Sequence, residues 1–157
     1  MMHTYQLVRL IETHSEALAK SLLDKVQQSP SARSYSRVPP EELQQRVFEI
    51  YQHLGEWLLG KQDVNIERRY RQIGARRYEQ QVPLNELIWA IVLTKETLLQ
   101  YLMWETMPNR PPEVSGELEL FQLVGQFFDR AIHAAVMGYE QASIAERVAD
   151  VDTAGLR

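Results

Sequence analysis

Arg68, Arg69, Arg71, Arg76 and Arg77 form the densest set of chemically capable side chains in the sequence. Guanidinium groups at this density suit phosphate or nucleic-acid binding. Helical spacing divides the set. Arg68, Arg71 and Arg76 spread around a polar side, where solvated charge is the ordinary explanation. Arg77 instead continues the apolar stripe Ile66, Tyr70 and Ile73, which places its head at the edge of the core. A charge there requires a partner. Glu86 and Glu96 on the following helix are the candidates, and a structural Arg77–Glu86 ion pair is favoured over an anion site. Arg77 is kept as a ligand-binding candidate.

The other patterns that would announce chemistry are missing. A carboxylate-bridged metal pair in a helix bundle needs a Glu-x-x-His motif on each of two helices, so that both ligands face inward one turn apart. Here Glu12 and His14 are two apart, and Glu49 and His53 are four apart on an exposed-looking flank. His-Glu-x-x-His and Gly-x-Ser-x-Gly are absent, and the glycines are too scattered for a phosphate loop. Nothing selects a Ser-His-Asp set, so no catalytic residue and no metal site are assigned. His14 alone among the histidines lies on an apolar stripe, since His3, His53 and His133 fall at a terminus or on polar flanks. It is a candidate haem ligand or pH switch. The plainer reading, a core or half-buried histidine satisfied by one hydrogen bond, is preferred.

Composition narrows the class further. A chain of 157 residues has the size of one domain and buries enough surface to fold without a metal or disulfide. Zero cysteines exclude a disulfide framework, a thiolate metal site and a cysteine nucleophile, and fit a cytoplasmic protein. A formal net charge of -4 argues against a general nucleic-acid binder. The N-terminus lacks the pattern of a signal peptide, and no window is long and apolar enough for a membrane span.

The elements that position these residues are all helical. A first helix is predicted from about Tyr5 to Val26, with Leu7, Ile11, His14, Leu18 and Leu22 on one stripe. Ser31–Pro39 has no period and reads as a loop. The second helix starts near Pro39-Pro40-Glu41-Glu42, carries the stripe Leu43, Val47, Ile50, Leu54, Trp57 and Leu58, and stops at Gly60. The third runs from about Val64 to Gln80. The fourth, residues 83–104, opens at Pro83 and is apolar nearly all round through Trp89, Ala90, Ile91, Val92 and Leu93. It is expected to be the central, most buried helix. A proline-containing loop, Thr106–Gly116, precedes a long fifth helix from Ser115 to about Ala149. The expected architecture is an all-α single domain of five main helices over residues 1–149, in a bundle or globin-like arrangement. Residues 150–157 are expected to lack structure.

The fifth helix carries Ala131, Ala134, Ala135, Gly138, Ala142 and Ala145 at helical spacing. Gly138 costs about 1 kcal/mol in a helix interior unless close approach is needed. A second copy of the chain is the expected neighbour, so Ala134, Ala135, Gly138 and Ala142 are assigned to a dimer interface.

The run Ile73–Glu86, IGARRYEQQVPLNE, followed by LIWAI, resembles the N-terminal domain of the RsbR and RsbRD type of RsbT co-antagonists, components of bacterial stressosome signalling. Gly74, Arg77, Pro83 and Leu84 carry the resemblance, which extends over about Leu10–Tyr101 and more weakly into the fifth helix. It implies a helical, often dimeric sensory domain that feeds a signal through its last helix into an output domain, usually a STAS domain. The sequence is expected to stop before any such domain, which leaves a module that works alone, one that acts through a regulatory partner in trans, or one whose output element has been lost. The resemblance implies no catalytic residue and no particular ligand. Together these readings give a non-enzymatic signalling input module, a cytoplasmic homodimer acting by protein contacts. The alternative is a helical protein that binds a small molecule or haem in a pocket between its helices.

Overall fold

The computed structural model describes residues 2–60, 63–106 and 114–155, and every regular element among them is a helix. In chain order these are α1 (Met2–Thr13), α2 (Ser15–Gln28), a 3-10 segment (Pro30–Arg37), α3 (Pro40–Gly60), α4 (Asp63–Glu79), α5 (Leu84–Thr106) and α6 (Val114–Gly155).

The predicted first helix is two, α1 and α2, bent at His14, whose φ is -102° and ψ 14°. Three consecutive polar side chains explain the bend. Thr13 Oγ1 donates to the Arg9 carbonyl at 2.7 Å, His14 Nδ1 to the Leu10 carbonyl at 2.9 Å and Ser15 Oγ to the Glu12 carbonyl at 2.8 Å. Side chains that bond back to the preceding turn compete with the backbone ladder and bend helices. The stretch after α2, expected as a loop, is the 3-10 segment. It is kinked at Ala32, whose φ is -133° and ψ 33°, and it buries Ala32 and Tyr35, with Val38 buried just after its end.

The core joins all the elements. Ile11, Leu22, Tyr51, Leu54, Leu87, Leu98, Leu102, Leu120 and Phe128 are its fully enclosed large side chains. α5 buries Leu87, Ala90, Ile91, Leu98 and Leu102, but its opposite side is less covered than its composition suggested. Trp89 is at the exposure boundary, and Met103 and Trp104 near its end are exposed. Residues 107–113 of the expected loop lie outside the described residues, as do the side chains of His3 and His53.

The most extensive helix pair is α4 against α6. The two run in the same direction, since Tyr70 meets Phe127, Gly74 meets Ala135 and Tyr78 meets Glu146 along the pair. α6 continues as helix to Gly155, so the segment from residue 150 onward that was expected to lack structure is helical through Gly155. From Ile144 to Asp152 every residue is exposed: this end of α6 projects beyond the domain. No helix among the described residues is long and apolar enough to cross a membrane.

Candidate functional site

The residues that carry the sequence resemblance converge where α4 turns into α5. α4 ends with the Val82 N–H bonded to the Arg77 carbonyl at 3.0 Å and the Gln81 N–H to the Tyr78 carbonyl at 2.9 Å. This is the paired Schellman closure of a helix, and it requires a left-handed residue at its end. Gln81 occupies that position with φ 63°. Arg37 Nη1 donates to the Gln81 carbonyl at 2.6 Å, and the Tyr139 hydroxyl donates to the Val82 carbonyl at 2.8 Å. Pro83 follows, and its carbonyl accepts from the Glu86 and Leu87 N–H groups, each at 3.1 Å, to open α5. The 3-10 segment and α6 thus both hold this corner.

Arg77 is 2 % exposed. Its Nη1 donates to Gln80 Oε1 at 2.8 Å and to Glu42 Oε1 at 3.4 Å, and its guanidinium stands 5.7 Å from the Tyr35 ring centre. The carboxylate partner is therefore Glu42, in the first turn of α3, and not Glu86. Glu86 is buried as well, but it accepts the Ser34 N–H at 2.9 Å and so fastens the 3-10 segment to α5. Glu42 also receives Arg76 Nε at 3.0 Å and Gln80 Nε2 at 3.1 Å. The Arg76 hydrogen bond, with the charge of Arg77 behind it, holds the Glu42 carboxyl below its usual range against the opposing effect of burial. Burial pushes the Tyr35 hydroxyl up to about 12, a shift that the nearby Arg77 charge moderates.

Beside this corner, α3 and α4 enclose a cleft of about 540 Å³ lined by Arg46, Arg68, Arg69, Arg76 and Arg77 together with Glu49, Ile50, Gln72 and Ile73. Arg46 reaches Glu49 at 3.6 Å. Arg68 and Arg69 make no ion pair among the described residues. Arg46, Ile50, Ile73 and Arg77 also line an inner, mostly apolar cavity of about 30 Å³ against Tyr70 and Thr94. The Tyr70 hydroxyl is buried without a hydrogen-bond partner among the described residues, and burial raises it far above the ordinary tyrosine value. Sequence spacing separated the arginines around α4. It did not reveal that α3, by laying Arg46 alongside, makes one wall of a shared cleft.

His14 lies at the exposed bend between α1 and α2, with its ring 5.6 Å from that of Tyr101. It is not a core residue, because the kink turns it out of the stripe. The inner cavity is far below the roughly 300 Å³ at which small-molecule pockets begin, and His14 does not line it. Among the described residues no group of three or more His, Cys, Asp or Glu side chains is placed to hold a metal.

The small residues of α6 do allow a close approach, but within the chain. A Cβ on Gly138 would stand 2.1 Å from the Arg71 carbonyl oxygen, and one on Gly74 would stand 2.0 Å from the Ala135 carbonyl oxygen. The two glycines bring the α4 and α6 backbones into direct contact. Ala134, Ala135 and Gly138 are buried in that contact and Ala142 is half-buried at its edge. Assigning them to a dimer interface is therefore corrected: α4 occupies the face that a second subunit was expected to cover.

Comparison with curated proteins and with solved structures gave no match. The model of one family, described as the RsbT co-antagonist protein rsbRD N-terminal domain, matches residues 16–151, a span that takes in the arginine-lined cleft, the α4–α5 corner and nearly all of α6. By that match the chain belongs to the family of RsbT co-antagonist rsbRD N-terminal domains.

Proposed function

We propose that this chain is the input module of a stressosome-type signalling system, that it acts in the cytoplasm through protein contacts and not by turnover, and that it works as a homodimer joined along the projecting end of α6. One observation carries the dimer. Ile144, Val148 and Val151 are 51 %, 55 % and 69 % exposed, and their spacing of four and three residues puts them on a single seam. Apolar residues at alternating three- and four-residue steps form the contact line of a coiled coil. In a parallel pair, Arg147 of one copy falls beside Asp152 of the other, opposite charges at the flanking positions that select partner and orientation. Family membership supports the signalling role, and a regulatory protein is the partner to which such a dimer would present α6.

Sedimentation velocity tests the dimer. The wild type is expected to sediment as a dimer, and Ile144→Glu/Val148→Glu as a monomer with unchanged far-UV circular dichroism. Val151→Cys should form a symmetric disulfide under mild oxidation, as a parallel pairing requires. A wild type that remains monomeric at high concentration, or a dimer indifferent to the two glutamates, refutes the proposal.

A further inference from the structure

The α3–α4 cleft combines charge and volume with two arginines, Arg68 and Arg69, that hold no ion pair among the described residues. Its lining includes five arginines, Arg46, Arg68, Arg69, Arg76 and Arg77, against one carboxylate, Glu49, in a chain whose net charge is -4. Like charges brought together around one concavity raise the local positive potential and attract an anion. Glu42 serves Arg76 and Arg77, Glu79 also serves Arg76, and Glu49 serves Arg46. Arg68 and Arg69 have no carboxylate among the described residues. Their planar donor groups match the oxygens of a phosphate bidentately.

Volume separates the possible anions. The cleft measures about 540 Å³, within the range of small-molecule sites and larger than a single inorganic phosphate fills. The lining is mainly polar, so it suits a hydrophilic ligand more than a fatty or aromatic acid. Nucleic acid fits poorly, since the basic residues occupy one concavity and not a stripe along the surface. We infer that the cleft between α3 and α4 is a binding site for a small molecule bearing a diphosphate, held by Arg46, Arg68 and Arg69 at its rim and by Arg76 at the side nearest Glu42. The inference does not depend on the dimer.

Isothermal titration of the full chain with inorganic pyrophosphate, at constant ionic strength, tests it. Pyrophosphate is expected to saturate one site per chain, with orthophosphate at least tenfold weaker. Arg68→Gln/Arg69→Gln removes two donors that hold no ion pair among the described residues, so it should weaken pyrophosphate at least tenfold while leaving the circular dichroism spectrum unchanged. Lys20→Gln/Arg33→Gln removes the same charge from exposed positions outside the cleft and should bind as the wild type does. Equal weakening in both double variants would mean general electrostatic attraction and would overturn the site. So would sulfate binding as tightly as pyrophosphate, or an acidic phosphopeptide binding more tightly than pyrophosphate.

Discussion

Replacing Gly138 with alanine adds one carbon at 2.1 Å from the Arg71 carbonyl oxygen and 2.7 Å from the Arg71 Cα and carbonyl carbon. Non-bonded heavy atoms settle near about 3.5 Å, so α4 and α6 must separate by roughly 1 Å. The obstructing atoms are backbone, and no side-chain rotation relieves them. Overpacking of a tight core costs about 1–3 kcal/mol, and a rigid obstruction belongs at the top of that range. Alanine recovers about 1 kcal/mol as the better helix former, which leaves a net loss of about 2 kcal/mol. For a domain of this size that corresponds to a fall in Tm of about 4–8 °C. Gly74→Ala, facing the Ala135 carbonyl oxygen at 2.0 Å, should behave alike. Because one separation accommodates both methyl groups, the double variant should lose less than the sum of the two. Gly125→Ala is the internal control: it lies in the same helix with nothing within 4 Å of its added carbon, and should be stabilised by up to about 1 kcal/mol. Thermal and urea unfolding of the four variants check this. A Gly138→Ala protein stabilised to the same extent as Gly125→Ala would refute the backbone contact.

Other perturbations discriminate as sharply. Arg77→Ala removes a buried guanidinium bonded to Gln80 and Glu42 and should cost about 3 kcal/mol, whereas Arg68→Ala, exposed and without an ion pair among the described residues, should stay within about 0.5 kcal/mol in urea unfolding. Tyr70→Phe deletes a buried hydroxyl without a partner among the described residues and should be neutral or stabilising, while Tyr51→Phe loses the 2.8 Å hydrogen bond to the Thr94 carbonyl and should cost about 1 kcal/mol or more. The folded state lowers the Glu42 carboxyl from 4.5, so its stabilising contribution is complete above that value and is lost as pH falls below it. The acid limb of a stability-versus-pH curve should therefore flatten in Glu42→Gln.

Local pattern reported what local physics decides. The apolar stripe from Leu43 to Leu58, the proline and acidic start of α3, and the Val82-Pro83 entry to α5 are properties of neighbouring residues, and the helices follow them. Arg77 was legible as a buried charge because it interrupts an apolar stripe. Its partner was not, because Glu42 lies 35 positions away and only tertiary packing brings it there. Gly138 announced a close approach without naming the neighbour, since a small residue makes room for whichever backbone arrives. The bend at His14 was within reach of the sequence: Thr13, His14 and Ser15 are three successive side chains able to bond the preceding turn, but a periodic apolar stripe does not register that competition. The cleft was hidden for the same reason as Glu42, because its walls belong to two helices whose relative placement no spacing encodes.

The paired glycines have a mechanical consequence. Where two helix backbones touch, neither can slide along the other without climbing out of contact, but each can still pivot about the point of touch. The Gly74–Gly138 crossing is thus a fulcrum, and α6 beyond it is a lever arm reaching to Gly155. At 1.5 Å per residue that arm is about 25 Å long, so a pivot of about 5° moves its tip by about 2 Å. Tyr139, one residue beyond the crossing, ties the base of that arm to the corner that Arg37 also holds. A small change in the crossing angle is thus carried to the tip of α6 as a displacement of the whole projecting end.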